Sequence, residues 1–265
     1  MRQFLFRLVL LILVVLIIFG VYRLLTIRPL DNVGFFRDLP LVAAVDSANP
    51  AGAPPYSLAA FDAAREAGAN SLYLPVELTR DGVLVVSSAA VDQLTLAELE
   101  GRGAPEAVVT LQDALAAYPD LRALVVVRQP SLQALAALLQ AIDANDARPR
   151  VLAVVDHPLL AGTLREQAPD LASATTSAET SAFLATRRFG LTPFYRPAAP
   201  AMLLQGSQIN KRLVDAARGR GIHLLALPDQ QSVATVQGLI DAGVDGVILT
   251  DPALIAGLSW PGQAP

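Results

Sequence analysis

The sequence has no cysteine, and its 265 residues include one lysine, one tryptophan and two histidines. Without cysteine there can be no disulfide, no thiolate metal centre and no cysteine nucleophile. With only His157 and His223, an imidazole-rich metal site or a Ser-His-Asp triad has little to draw on. Lys211 is the sole lysine, and no cluster of Lys or Arg interleaved with aromatics occurs. Nucleic acid is therefore not an expected partner. No Gly-x-Gly-x-x-Gly follows the first predicted strand, so a dinucleotide site has no support.

What is present is apolar. The hydrophobic share is 53%, and the formal net charge is −4. The charge is uneven: residues 1–40 hold five arginines against Asp31 and Asp38, leaving 15 basic and 22 acidic residues, a net of −7, for the remainder. Leu8 to Tyr22 is an unbroken apolar run of 15 residues. With Phe4–Phe6 and Leu24–Ile27 it reaches the ~20 residues that a bilayer core requires. Arg7 and Arg23 then fall near the two interfaces, where their stems can snorkel. A cleaved signal peptide needs a small-x-small site, and Val21-Tyr22-Arg23-Leu24-Leu25 is bulky. The expected organisation is a transmembrane anchor over 1–28, a linker over 29–40 and one domain over 41–265. The expected location is the plasma membrane, single-pass, with the domain extracytoplasmic.

From Leu41 onward, short apolar runs alternate with helical patterns. The predicted strands are Leu41–Asp46, Ser71–Val76, Ala123–Arg128, Val151–Asp156, Leu171–Thr175, Ala201–Leu204, His223–Leu227 and Gly246–Leu249, and Val83–Ser88 reads as a hairpin arm after the Arg80-Asp81-Gly82 turn. Helices are expected over Leu58–Ala67 behind Ser57, after the capping-box-like Thr95-Leu-Ala-Glu98 and Thr110-Leu-Gln-Asp113, along the Leu132, Leu135, Leu138, Leu139, Ile142 stripe, and over Ile209–Arg218, Val233–Ala242 and Pro252–Leu258. Eight strand–helix alternations predict an α/β fold, a (β/α)₈ TIM barrel. A doubly wound open sheet is the alternative.

Five stretches, in order, resemble the glycerophosphodiester phosphodiesterase family. They are Pro54-Pro-Tyr-Ser-Leu-Ala-Ala-Phe61, Ala63-Ala-Arg-Glu-Ala-Gly-Ala69, Val76-Glu-Leu-Thr-Arg-Asp-Gly-Val-Leu-Val-Val86, Val108-Val-Thr-Leu-Gln-Asp-Ala-Leu115 and Gly243-Val-Asp-Gly-Val-Ile-Leu-Thr-Asp-Pro252. The resemblance implies a barrel of the phospholipase C-like phosphodiesterase type. It also implies a site in which carboxylates hold a divalent cation such as Ca²⁺ or Mg²⁺ and histidines serve as acid and base.

The residues for that chemistry are missing. Where the family carries His-Arg, strand one here ends Ala44-Val45-Asp46-Ser47-Ala48. Tyr73 and Pro75 stand where the family has Glu and Asp, Ser88 where it has the hairpin His, and Val126 where it has the carboxylate of strand three. The family's metal-side Glu is Pro55, and its Trp-Thr-Val-Asn is Leu227-Pro228-Asp229-Gln230. Tyr and Pro supply no hard carboxylate ligand, and a serine hydroxyl does not titrate near neutrality. No catalytic residue, metal or cofactor is therefore expected. Of the polar residues expected at the strand ends, Arg128, Asp46, Asp156, Asp229 and Asp251 are the ligand-binding candidates, with Arg128 placed to pair with Asp46, Asp156 or an anionic ligand. Asp156 and Asp251 also suit helix entries, since each precedes a proline. The expected function is a membrane-tethered pseudoenzyme that binds an anionic small molecule, a lipid headgroup or glycan, or a protein partner. The alternatives are a divergent phosphoric diester hydrolase acting on glycerophosphodiesters in lipid metabolism, using Asp46, Asp156, Asp229 and Asp251, and a purely structural scaffold.

Overall fold

A computed structural model describes residues 34–37, 39–44, 54–102 and 108–260. Among these, no helix is long and apolar enough to cross a membrane. The predicted anchor over 1–28 lies outside the described residues.

The elements in chain order are β1 (Leu41–Ala44), α1 (Leu58–Glu66), β2 (Ser71–Leu78), β3 (Leu84–Val86), α2 (Leu96–Glu100), α3 (Leu111–Ala117), β4 (Arg122–Val127), α4 (Leu132–Ala144), β5 (Val151–Val155), α5 (Pro158–Gln167), β6 (Ala172–Ser173), α6 (Ser177–Arg188), β7 (Ala201–Gln205), α7 (Lys211–Arg218), β8 (His223–Leu227), α8 (Val233–Ala242) and β9 (Gly246–Leu249). All strands but β3 run parallel, in the order β6-β5-β4-β2-β1-β9-β8-β7. A parallel bridge between Ala174 and Ala201 joins the two ends, and the Thr175 N–H donates to the Ala201 carbonyl at 2.8 Å. The sheet thus closes into an eight-stranded barrel, which rules out the doubly wound alternative. Strand β3 pairs antiparallel with the far end of β2 and lies off the barrel path.

Alternation along each strand separates two cores. Leu72, Leu74 and Val76 of β2, with Ala123, Val125 and Val127 of β4, pack outward against α3 and α4. Met202, Leu204, Leu224 and Ala226 pack outward against α7 and α8. The residues of opposite parity, among them Leu41, Leu124, Leu152, Ala172, Leu225 and Ile248, fill the barrel's interior.

Helix starts follow their caps. Ser57, Thr95, Thr110, Ser131, Thr176, Asn210 and Ser232 each accept a hydrogen bond from a first-turn backbone N–H, and Thr95–Glu98 and Thr176–Glu179 are reciprocal capping boxes. Helix α8 stops at Gly243, whose φ of 94° is left-handed and suits a residue without Cβ. Several expectations need correction. Leu132 was placed on the apolar stripe of α4 but is 67% exposed; it is the first residue of that helix, whose buried positions begin at Ala134. Strand β6 is shorter than expected, since only the isolated bridge at Ala174 carries the ladder onward to β7. The segment beginning at Pro252 is 3₁₀ rather than α. The helix entry read after Asp156 is the start of α5 at Pro158, whereas α6 had not been singled out, although Thr176-x-x-Glu179 is a capping-box signal.

The Gly243-Val-Asp-Gly246 stretch has a structural explanation. A Cβ on Gly246 would lie 2.7 Å from Leu41 Cβ and 2.8 Å from the Leu41 carbonyl oxygen, so only hydrogen fits between β1 and β9 there. Asp245 accepts from the Leu224 N–H at 2.9 Å, and Val244 is buried. The motif closes the barrel.

Candidate functional site

The C-terminal strand ends form the mouth, the side on which barrels of this class place their sites. Register fixes what points into it. Pro75 pairs with Val126, Val126 with Val154, and Leu203 with Leu225. Tyr73, Val154, Leu203 and Leu227 pack on the interior cluster from above. The three barrel positions where the resemblance called for carboxylates thus lie at the mouth and hold Tyr73, Pro75 and Val126. Ser88 sits exposed just beyond β3. Burial raises the Tyr73 phenol above its ordinary range, an effect partly offset by the nearby Arg128. A neutral phenol is what the floor of this mouth presents.

The feature missed from the sequence is Glu77. It shares inward parity with Tyr73 and Pro75 and is 3% exposed. Its Oε1 accepts from Arg128 Nε at 3.2 Å, while its Oε2 is buried without a partner among the described residues. Burial raises the Glu77 carboxyl, and the Arg128 hydrogen bond and charge pull it partly back. Arg128 was expected to pair with Asp46, Asp156 or an anionic ligand; among the described residues it pairs with Glu77 and not with Asp156. It remains 48% exposed, and its terminal nitrogens have no partner among the described residues.

The other candidates are tied into loops. Asp156 accepts from the Ser177 N–H at 2.7 Å and from the Ser177 hydroxyl, linking the end of β5 to the start of α6. The helix entry at Pro158 is instead capped by His157, whose Nδ1 accepts from Leu160 N at 3.4 Å. Asp229 accepts from the Ser207 N–H and, at 3.1 Å, from its hydroxyl, joining the loops after β8 and β7. Asp251 accepts from Ala253 N at 2.9 Å and caps the final 3₁₀ turn. Asp46 lies outside the described residues. Asp156 and Asp229 each accept from the backbone N–H and hydroxyl of a serine in an adjoining loop, and Asp251 from one first-turn N–H, structural roles that an acidic residue at a strand end takes as readily as it binds a ligand. Among the described residues no group of three His, Cys, Asp or Glu side chains converges on a point that a metal ion could occupy. The described donors at the mouth do not fit the divalent cation that the resemblance implies.

Between the ends of β4 to β8 a cavity of about 430 Å³ remains open. Its floor is Val126, Val154, Leu203 and Leu227, and its rim carries hydroxyls and amides.

No family model matches the sequence, and no curated protein does. Solved structures do. A protein from Silicibacter pomeroyi described as a glycerophosphoryl diester phosphodiesterase superposes with a TM-score of 0.65 at 18% identity, covering 90% of this chain and 99% of that one. A glycerophosphodiester phosphodiesterase from Agrobacterium tumefaciens gives 0.66 at 17%, covering 82% and 98%. An Oleispira antarctica phosphodiesterase, solved with the product sn-glycerol-3-phosphate, gives 0.64 at 17%, covering 82% and 96%. At such identities the likeness establishes the fold, and the chain has the fold of the glycerophosphodiester phosphodiesterases. What it does must be argued from its own residues.

Proposed function

We propose that this chain is a catalytically silent relative of the glycerophosphodiester phosphodiesterases, tethered to a membrane by residues 1–28, whose barrel mouth binds a ligand rather than cleaving one. The observation that carries this reading is the substitution of Tyr73, Pro75 and Val126 at three inward positions of the mouth. A phosphodiester must have its charge neutralised, its leaving oxygen protonated and its phosphorus attacked. The described mouth offers one guanidinium already paired to one carboxylate, over a floor of apolar side chains and the neutral Tyr73 phenol. Removing any one such group from an active site costs a few kcal/mol in the barrier, and groups acting as a unit fail together.

Arg128 is the ligand anchor in this reading. Its Nε is committed to Glu77, which holds the guanidinium plane and leaves the terminal nitrogens for an anionic group. The test is an assay of the purified full-length protein in detergent on glycerophosphocholine with Mg²⁺, Ca²⁺ and Mn²⁺ in turn. Turnover no greater than that of a detergent blank is expected. Metal-dependent turnover abolished by Asp156→Ala would establish the divergent hydrolase instead. For the tether, the chain should stay with membranes through a high-salt wash and leave only with detergent. Release by salt alone would sink the anchor.

A further inference from the structure

We infer that the cavity between the ends of β4 and β8 is a subsite for a neutral polyhydroxyl group, a sugar ring or cyclitol, distinct in chemistry from the anion contact at Arg128. This rests on reading the barrel as a binding module. The cavity's size of about 430 Å³ falls within the roughly 300–1,000 Å³ of small-molecule sites. Among its lining residues the one titratable group is Asp156, whose two oxygens are held by Ser177, and no cation is present to attract a phosphate. What remains free is neutral. The Gln205 and Gln208 side chains and the Ser181 hydroxyl make no hydrogen bond within the described protein, and Thr180 shares one with Thr175 at 2.8 Å. Carboxamides and hydroxyls both donate and accept, as vicinal hydroxyls do. The apolar floor of Val126, Val154, Leu203 and Leu227 matches the C–H face that a ring sugar or cyclitol presents beneath its hydroxyls. A purely anionic or purely apolar ligand would leave one half of this lining unmatched.

The source of such a group follows from where the chain enters. Phe35 and Phe36 pack into the barrel at the N-terminal strand ends, beside Arg122 and His223. Only residues 29–33 separate them from the proposed anchor, a reach of at most about 20 Å at ~3.6 Å per residue. The anchored end therefore faces the bilayer and the mouth faces away, which favours a soluble or polymeric glycan over a headgroup of the same membrane.

The experiment uses the full-length chain in lipid nanodiscs and measures, by ligand-observed NMR, saturable binding of myo-inositol, methyl glucoside and maltotriose. Inorganic phosphate is titrated separately. Polyol binding should weaken about tenfold or more in the Gln205→Leu/Gln208→Leu double variant, as expected for two lost hydrogen bonds, with the Arg128-dependent phosphate affinity unchanged. Thr180→Val gives a second, smaller loss on the same rim. Absence of saturable polyol binding, or equal affinity in the double variant, overturns the subsite while leaving the binding-module reading in place if phosphate still depends on Arg128. Hydrolysis of glycerophosphocholine defeats that reading independently. Binding confined to phosphatidylinositol placed in the chain's own nanodisc, with none to the soluble polyols, overturns the assignment of source.

Discussion

The two ends of the barrel spend their polar groups differently. At the N-terminal end Asn70 accepts from the Val42 N–H and donates to the Pro40 carbonyl, at 2.9 and 2.7 Å. Arg122 donates to the Phe35 carbonyl at 3.3 Å, and His223 stacks on Phe36 with centroids 4.1 Å apart while its Nδ1 lies 3.5 Å from Asp245. A cavity of about 500 Å³ opens at this end too, but its Asn70, Arg122 and Arg150 side chains are bonded to backbone carbonyls, and among the described residues Arg220, just before β8, keeps buried nitrogens without a partner. Among the described residues the mouth keeps a carboxylate with an orphan oxygen, an arginine whose terminal nitrogens have no partner and a cavity rimmed by unengaged amides. What separates the ends is that the amide and guanidinium groups lining the N-terminal cavity are taken up by the protein's own backbone, whereas several of those at the mouth are not.

Substitutions sharpen that contrast, and the largest effects belong to the N-terminal end. Phe35→Ala empties a fully buried ring from the plug and should cost about 4 kcal/mol in chemical denaturation, as other buried aromatics do. Gly246→Ala should cost about 3 kcal/mol, because the new Cβ meets the backbone of β1, which cannot move aside without opening the ladder. At the mouth, Arg128→Ala removes a half-exposed side chain but strands a buried carboxylate, so about 1–2 kcal/mol is expected, together with loss of phosphate binding. If Arg128→Ala destabilised the fold as much as Phe35→Ala, the division between a structural end and a binding end would collapse.

How far this could be read from residues alone also differs between the ends. The strands were legible because residues buried on both faces leave continuous apolar runs, and most helix starts because caps are local. The closing glycine motif was legible as a pattern, and its reason, that a Cβ on Gly246 would lie 2.7 Å from Leu41 Cβ, is visible only in three dimensions. The alternation along β2 was followed only as far as Pro75. Two residues further along β2 the same alternation turns Glu77 inward, level with the residue that follows Val127 on β4. Reading Glu77 as a hairpin residue hid the partner of Arg128. Asp156 and Asp229 stood out as lone acids at strand ends, and no local signal says that a serine from the adjoining loop claims each. Such contacts join segments 21 and 22 residues apart.

The smallest predicted effect tests the mouth's electrostatics directly. Burial holds the Glu77 carboxyl above its ordinary range in the folded protein, so the folded state binds this proton more tightly than the unfolded chain does. Its contribution to stability is then fully present below the ordinary glutamate range and is lost as pH rises through the raised folded value. Glu77→Gln keeps the shape and removes the titration. Denaturation midpoints of the two proteins should therefore diverge with pH: the native chain fares best relative to the variant in acid and loses ground towards neutrality. A difference growing in the opposite direction would mean that the Arg128 pair outweighs burial, making Glu77 a net stabilising ion-pair partner at neutral pH. A difference that stays flat would mean that the orphan oxygen is solvated and that the mouth is as well satisfied as the other end.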